Sequence, residues 1–219
     1  MALKLSSFRR LEKELAQSRI VGLGSGGTMA EFVRVLAGEE ELARRLTVIP
    51  SSWQIHLVAN EHGLKVAPST FMSEVDLTVD GADQVDGRRR IIKGGGGALL
   101  KEKLLWEAAK SVFVIAREDK FVRDLERPVP VEVVPAAVNH VSRRVKGLGG
   151  EPALRTLEKG YPFVTENGNM ILDVGFAAIE DAEELERRIK QMVGVVEVGL
   201  FNFPDVTIYK IREQKVEEL

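Results

Sequence analysis

The stretch Ile20-Val-Gly-Leu-Gly-Ser-Gly-Gly-Thr-Met-Ala30 begins as a short apolar run and passes through four glycines into a helix-like segment. This order predicts a strand at 20–23, a tight turn and a helix. The same alternation continues downstream, with candidate helices at 28–37 and 52–61 and candidate strands at 47–49, 64–67, 75–79, 91–92 and 112–116. We therefore predict an α/β fold with a Rossmann-like, mainly parallel sheet and helices on both faces.

The second half of the chain has a different pattern, which begins near Arg127 with several prolines. Its segments predict a strand at 128–134, a helix at 136–146, a strand at 153–157, a hairpin turning at Asn167-Gly168, a helix at 181–192 and a strand at 195–198. This β-α-β-β-α-β order is that of a ferredoxin-like α+β unit. A further strand at 205–212 is expected to return to the first sheet. We predict a Rossmann-like domain at 1–127 and 203–219, and an inserted domain at 128–202.

Composition excludes several classes of function. The 219 residues include no cysteine, which rules out disulfides, thiolate catalysis and cysteine-ligated metals. A net charge of -2 with mixed signs gives no basic surface for nucleic acid. Segment 1–19 has charges every few residues and predicts an amphipathic helix, not a signal peptide or membrane span. The histidines, at 56, 62 and 140, have no metal-ligand spacing, so we expect no metal site.

The glycine-rich segment 22–28, GLGSGGT, lies between a predicted strand and a predicted helix. Glycines let backbone amides approach an anion, and a helix N-terminus favours negative charge, so phosphate binding is the predicted role. The glycine spacing also matches a dinucleotide-binding fingerprint, but segment 47–52 lacks the acidic residue that this fingerprint requires. A nucleotide-hydrolysing phosphate loop would need a lysine directly before Thr28, where this chain has Gly27, so nucleotide hydrolysis is disfavoured. A tight turn without a ligand remains the alternative.

Two aspartates follow an apolar strand in segment 74–83, EVDLTVDGAD. Ligands bind outside the carboxyl ends of parallel strands, so Asp80 and Asp83 are placed to bind substrate hydroxyls or to transfer protons. The alternative is that they only form a turn or cap the next segment.

Segment 93–103, KGGGGALLKEK, has four consecutive glycines between a strand and a helix. Glycines are entropically costly there, so they suggest a second backbone cradle, with Lys93 as a fixed positive charge. Glu102 is the candidate general base, because its helical neighbours are apolar and removal of water makes a carboxylate a better proton acceptor. Those neighbours are Ala98, Leu99, Leu105 and Trp106. A solvated Lys-Glu-Lys helix face is the alternative.

The motif set as a whole resembles one family, ribose-5-phosphate isomerase, type A. Six motifs occur in the family's order and cover nearly the whole chain: GLGSGGT, DLTVDGADQVD, IKGGGGALLKEKL, VIAREDK, TENGNMILD and GVVEVGLF. The resemblance implies interconversion of ribose 5-phosphate and ribulose 5-phosphate in the non-oxidative pentose phosphate pathway, without cofactor or metal. It also implies a homodimer or homotetramer in the cytoplasm, with a sugar phosphate as partner and no nucleic acid or membrane.

The resemblance assigns roles residue by residue. It implies that Glu102 moves a proton between two carbons through an enediolate, while Asp80, Asp83 and Lys93 assist ring opening and stabilise charge on the substrate oxygens. The other substrate-binding positions that it implies are Ser25, Gly26, Gly27, Thr28, Gly81, Ala82, Gly94, Gly95, Gly96 and Lys120.

Six positions depart from the family pattern. Gly27 stands where the family usually has serine, Gln84 where it has glutamate and Arg117 where it has aspartate. Ile55 stands at a position that is often threonine, and Val193 and Val198 replace the usual proline and a polar residue. These departures leave open a second class of function, a non-catalytic sugar-phosphate sensor of the same fold. Coenzyme A transfer on a similar fold is a third, which would need a nucleophilic glutamate.

Overall fold

The chain forms two compact units in a computed structural model that describes residues 3–69, 74–213 and 215–219. The first unit comprises Met1–Ala82, Lys101–Asp119 and Phe203–Leu219, and the second comprises Asp83–Leu100 and Lys120–Asn202. Within these described ranges, no helix has both the length and the apolar character needed to cross a membrane.

Seven helices and fourteen strands follow one another along the described chain. Those before the proline-rich region are α1 Arg9–Leu15, β1 Ile20–Leu23, α2 Gly27–Gly38, α3 Glu40–Arg45, β2 Thr47–Pro50, α4 Trp53–Glu61, β3 Lys65–Val66, β4 Val75–Asp80, β5 Gln84–Val85, β6 Ile91–Ile92, α5 Leu99–Ala108 and β7 Ala109–Arg117. Those after it are β8 Val129–Val133, α6 Val138–Lys146, β9 Glu151–Leu154, β10 Met170–Gly175, α7 Ala182–Lys190, β11 Val195–Val198, β12 Leu200–Phe201, β13 Val206–Arg212 and β14 Lys215–Glu218.

The first unit is built on a seven-stranded sheet with the order β14-β13-β7-β4-β1-β2-β3. Every neighbouring pair in it is parallel except β13–β14, the last hairpin. Strand β13 pairs with β7, which confirms that the chain returns to this sheet after the second unit. The predicted α/β, mainly parallel architecture is confirmed.

Helices cover both faces of this sheet. Val48 of β2 packs in a cluster with Phe32 of α2 and Ile55 of α4. The next residue, Ile49, packs instead with Leu105 of α5. Consecutive strand residues point to opposite faces, so α2 and α4 lie on one face and α5 on the other.

The second unit contains a four-stranded antiparallel sheet in the order β11-β8-β10-β9. Together with α6 and α7 it forms the predicted β-α-β-β-α-β unit, whose alternating valines on β8 pack in one cluster with buried residues of both helices. The unit also includes segment 83–100, which precedes the inserted domain predicted at 128–202; those domain limits stay a prediction.

Several predicted elements differ in detail from the observed ones. The 91–92 strand was expected in the parallel sheet, but β6 lies in a separate three-stranded antiparallel sheet, in the order β12-β6-β5. The N-terminal helix is shorter than predicted, since a 3₁₀ turn at Leu5–Ser7 precedes α1. The predicted turn at Asn167-Gly168 forms, with Gly168 at φ 80°. An isolated bridge between Val164 and Met170 joins the two arms of the turn, and β10 pairs with β8.

Asp76, at the start of β4, links this strand to the starts of its two neighbours in the sheet, β1 and β7. Its Oδ2 accepts hydrogen bonds from the backbone N–H groups of Arg19 (2.8 Å) and Ile20 (3.0 Å). Its Oδ1 accepts one from Nζ of Lys110 at 2.8 Å. The hydrogen bond from Lys110 is the main cause that lowers the pKa of Asp76 from 3.8 to about 2, with the backbone donors adding to it against the effect of burial.

We predict that Asp76→Asn destabilises the protein at pH 7 and that this loss disappears in acid. A folded-state pKa below the unfolded one contributes stability above pH 3.8, and the contribution is lost as pH falls toward 2. Urea unfolding between pH 7 and pH 2 measures the difference from the parent protein. The control is Asp205→Asn, at an exposed aspartate of the same unit. A difference between parent and Asp76→Asn that stays constant down to pH 2 would contradict the assignment.

Candidate active site

Ser25 and Glu102 meet where β1 gives way to α2. Glu102 is 2% exposed, and its Oε1 accepts hydrogen bonds from the Ser25 hydroxyl at 2.6 Å and from the Ser25 backbone N–H at 3.2 Å. Charge-assisted hydrogen bonds of this kind fix the direction of a carboxylate. The first unit therefore holds Glu102 in one orientation beside the first glycine-rich loop.

The carboxylate of Asp80, at the end of β4, is completely buried. Its Oδ1 accepts a hydrogen bond from the N–H of Gly81 at 2.7 Å, and its Oδ2 accepts one from Nε1 of Trp106 at 2.8 Å. A Cβ atom at Gly24 would lie 1.6 Å from Oδ1, so only glycine fits at that position. Asp80 is thus enclosed by the ends of β1 and β4 and by α5.

The charged run on α5 is not a solvated face. Glu102 and Lys103 are buried and Lys101 is half-buried. Leu105 and Trp106, two of the predicted apolar neighbours of Glu102, are also buried. The alternative interpretation of this run is therefore wrong, because the helix is packed into the core of the unit.

The first glycine-rich loop has the local geometry predicted for it. Gly26 has φ 95°, which favours glycine, and α2 begins at the exposed Gly27 with the half-buried Thr28 in its first turn. The N–H of Gly26 donates to Oε1 of Gln54 at 3.0 Å. The loop therefore ends at a helix N-terminus, where backbone N–H groups favour an anion.

In the second unit, Asp83 is tied to the tetraglycine segment. Its Oδ2 accepts a hydrogen bond from the N–H of Gly95 at 2.7 Å, and its own N–H donates to the carbonyl of Ile92 at 2.9 Å. Positive φ angles at Gly94 (107°) and Gly97 (79°) shape the segment. Glycine adopts such φ angles without steric cost, which explains why glycines occupy these positions.

The other predicted residues lie in different surroundings. Lys93 is 3% exposed, and its Nζ is 5.7 Å from the centre of the Phe201 ring. Lys120 is half-buried at the end of a 3₁₀ turn. Gly81 is buried, Ala82 is half-buried and Gly96 is exposed. Across residues 3–69, 74–213 and 215–219, no three histidine or acidic side chains are grouped so as to hold a metal ion.

Positions that depart from the family pattern are mostly accommodated by simple contacts. The side-chain oxygen of Gln84 accepts the N–H groups of Glu126 (2.9 Å) and Arg127 (3.0 Å), as a carboxylate could. Arg117 forms an ion pair with Glu31 on α2 at 2.7 Å. Ile55 and Val198 are buried in apolar clusters and Val193 is exposed.

Three contributors to the site were not identified as such from the sequence. Gly24 was considered only as part of a dinucleotide fingerprint, and Trp106 only as an apolar neighbour four residues after Glu102. No sequence motif indicated a role for Gln54, which contacts the N–H of Gly26. The indole N–H of a tryptophan expected in the core is the one clue that could have been followed, since a buried N–H requires an acceptor.

Comparisons with known proteins agree on one family. The family model for ribose 5-phosphate isomerase A (phosphoriboisomerase A) matches residues 47–213. The ribose-5-phosphate isomerase A of Thermosynechococcus vestitus is 41% identical over 196 residues, which cover 86% of this chain and 83% of the relative. The structure of ribose 5-phosphate isomerase A from Methanocaldococcus jannaschii has a TM-score of 0.85 at 34% identity, covering 92% of this chain and 90% of that one. A D-ribose-5-phosphate isomerase solved in complex with phospho-erythronic acid has a TM-score of 0.87 at 30% identity, covering 96% and 98%.

We predict that Gly24→Ala destabilises the first unit. The added methyl group would overlap the buried carboxylate of Asp80, and overpacking of this kind costs about 1–3 kcal/mol. The control is Gly38→Ala at the end of α2, where a Cβ meets nothing within 4 Å. Urea unfolding of both variants gives the measurement. Equal stability of the two variants would refute the close approach of Gly24 and Asp80.

Proposed function

The chain belongs to the ribose-5-phosphate isomerase A family, and from this premise we propose that Glu102 is the general base of its aldose–ketose isomerisation. The family interconverts ribose 5-phosphate and ribulose 5-phosphate, a reaction of the pentose phosphate pathway. The observation that carries the proposal is the buried Glu102 carboxylate, oriented by two hydrogen bonds from Ser25.

The proposed chemistry needs one proton acceptor that works on two adjacent carbons. Glu102 takes the proton from C2 of the open-chain aldose, and the electron pair moves to give an enediolate. The protonated Glu102 then returns the proton to C1, which gives the ketose and restores the carboxylate. The hydroxyl proton on O2 passes to O1 in the same interconversion, so every proton that leaves one atom is received by another, and no group outside the substrate is oxidised or reduced.

The anionic enediolate needs positive or hydrogen-bonding groups at its oxygens. On the strength of the family motifs, we assign this role to Lys93, and we assign Asp80 and Asp83 to accepting hydrogen bonds from the substrate hydroxyls and to assisting ring opening. Hydrogen bonds from Gly81 and Trp106 hold the Asp80 carboxylate in one orientation, which supports its assignment because a fixed group loses little freedom when substrate binds.

The phosphate group is assigned to the first glycine-rich loop. Exposed backbone at a helix N-terminus and the nearby hydroxyl groups support this part of the proposal. The residues assigned to the substrate are Ser25, Gly26, Gly27, Thr28 and Lys120 for the phosphate, and Gly81, Ala82, Gly94, Gly95 and Gly96 for the sugar. The phospho-erythronic acid held by a solved relative supports a ligand with a phosphate at one end and an anionic group at the other.

We further propose that the protein acts in the cytoplasm as a homodimer or homotetramer, without nucleic acid or membrane partners. The family resemblance supports the assembly, and the absence of cysteine is consistent with a reducing compartment. The comparisons give no support to the sugar-phosphate sensor, since three curated relatives at 38–41% identity are named as ribose-5-phosphate isomerase A.

We predict that Glu102→Gln lowers kcat for ribose 5-phosphate by about 10²- to 10⁴-fold, because glutamine cannot accept the proton. Substrate binding should change little, since glutamine has nearly the same shape. Ketose formation and calorimetric binding of ribose 5-phosphate are the measurements. Glu107→Gln, at an exposed glutamate on the same helix, is the matched control. Turnover of Glu102→Gln close to that of the control would exclude Glu102 as the base.

We predict that Trp106→Phe lowers kcat by about tenfold. The change keeps an aromatic ring in the core but removes the N–H that donates to Asp80, and a hydrogen bond to a charged group is worth about 1.5–3 kcal/mol. The control is Trp53→Phe, at a tryptophan that is 61% exposed. Steady-state kinetics with circular dichroism test the effect. An unchanged kcat in the folded variant would show that Asp80 does not depend on the indole.

A further inference from the structure

We propose that Arg155 is a positioning residue that holds the tetraglycine segment, residues 94–97, so that Asp83 is presented to substrate in a fixed orientation. The inference rests on the proposed function only through the role of Asp83. All contacts that carry it lie within the second unit.

The guanidinium group of Arg155 bridges two parts of this unit. Its Nη1 donates to the carbonyl oxygens of Gly94 (2.8 Å) and Gly95 (3.0 Å). Its Nε and Nη2 donate to the two carboxylate oxygens of Asp173 on β10, at 2.8 and 2.5 Å. A bidentate pair of this kind fixes both the position and the plane of the guanidinium. Arg155 thus anchors the glycine carbonyls to the antiparallel sheet.

The peptide groups of Gly95 are held on both sides. Its carbonyl accepts from Arg155, while its N–H donates to Oδ2 of Asp83 at 2.7 Å. A Cβ on Gly95 would lie 2.7 Å from the other oxygen of Asp83. A shift of the glycine backbone must therefore move or release the Asp83 carboxylate.

A tetraglycine segment needs such ties, because glycine loses more conformational freedom on folding than any other residue. Phe163 supplies a second restraint. Its ring centre is 5.7 Å from the Arg155 guanidinium carbon, and its ring atoms lie 2.6 Å from where a Cβ of Gly97 would be. Phe163 therefore packs against both Arg155 and the last glycine of the segment.

The contacts favour positioning over direct substrate binding by Arg155. An arginine side chain has five N–H donors. In Arg155, four hydrogen bonds to Gly94, Gly95 and Asp173 use four of them. Asp83, Gly95 and Arg155 line the same open cleft of about 330 Å³, but Arg155 has only one N–H group beyond these four hydrogen bonds to offer a ligand there. The groups that Arg155 supports are therefore those that face the space available to a ligand.

The test compares Arg155→Met and Arg155→Lys with the parent protein and with Arg143→Met, at an exposed arginine on α6 of the same unit. We expect Arg155→Met to lower kcat for ribose 5-phosphate by about 10- to 100-fold, the effect of a small misplacement of catalytic groups. Arg155→Lys keeps the charge and should lose less. Amide hydrogen exchange in segment 93–97 should become at least about tenfold faster in Arg155→Met.

A double-mutant cycle links the effect to Asp83. If Arg155 acts through this carboxylate, adding Asp83→Asn to Arg155→Met should lower kcat by less than Asp83→Asn does alone. Fully additive losses would overturn the proposal. If Arg155→Met fails to fold, Arg155→Lys replaces it both in the double-mutant cycle with Asp83→Asn and in the hydrogen-exchange measurement.

Two further outcomes separate this inference from the proposed function. A lowered melting temperature with unchanged kcat and unchanged exchange in 93–97 would overturn it and leave Arg155 as an ion-pair partner of Asp173. If the parent protein does not isomerise ribose 5-phosphate, the proposed function falls and exchange in 93–97 decides alone: faster exchange supports the positioning role and unchanged exchange overturns it.

Discussion

The close approach of the Gly24 backbone to the buried carboxylate of Asp80 is the constraint on which the first unit's site depends. No side chain fits between them, because a Cβ at position 24 would lie 1.6 Å from a carboxylate oxygen. Trp106 closes the other side of the same carboxylate. Since Ser25 follows Gly24, and Glu102 lies one helical turn before Trp106, the packing that encloses Asp80 also brings Ser25 to Glu102.

Burying two carboxylates in one unit is costly unless each receives hydrogen bonds. Asp80 receives donors from Gly81 and Trp106, and Glu102 receives two from Ser25. These donors also fix the side chains before any ligand arrives, so little ordering remains to be done on binding. The second unit applies the same principle to the backbone of a glycine segment, since the carbonyls of Gly94 and Gly95 are anchored by Arg155.

Much of the fold was predictable because hydrophobic periodicity and the glycines at turns are patterns within short stretches of sequence. Strand β1 has the bounds read from the sequence, and so does the strand at Val195–Val198. Segment 91–92 was assigned to the wrong sheet because a two-residue apolar run carries no information about its partner. Its pairing with Leu200–Phe201 is a contact about a hundred residues away in the chain, which no local pattern encodes.

The sequence by itself determined the α/β class, the long strands and helices of the first unit, and the glycine-rich turns, because these follow from residue type and spacing. The motif set, through its resemblance to one isomerase family, predicts Asp80, Asp83, Lys93 and Glu102 as the catalytic residues. Only the tertiary structure decided that Glu102 is buried and directed by Ser25, that Trp106 donates to Asp80, and that Arg155 anchors the glycine segment. The physical reason is that a hydrogen bond depends on atoms within about 3 Å, and folding brings such atoms together from residues that are far apart in the chain.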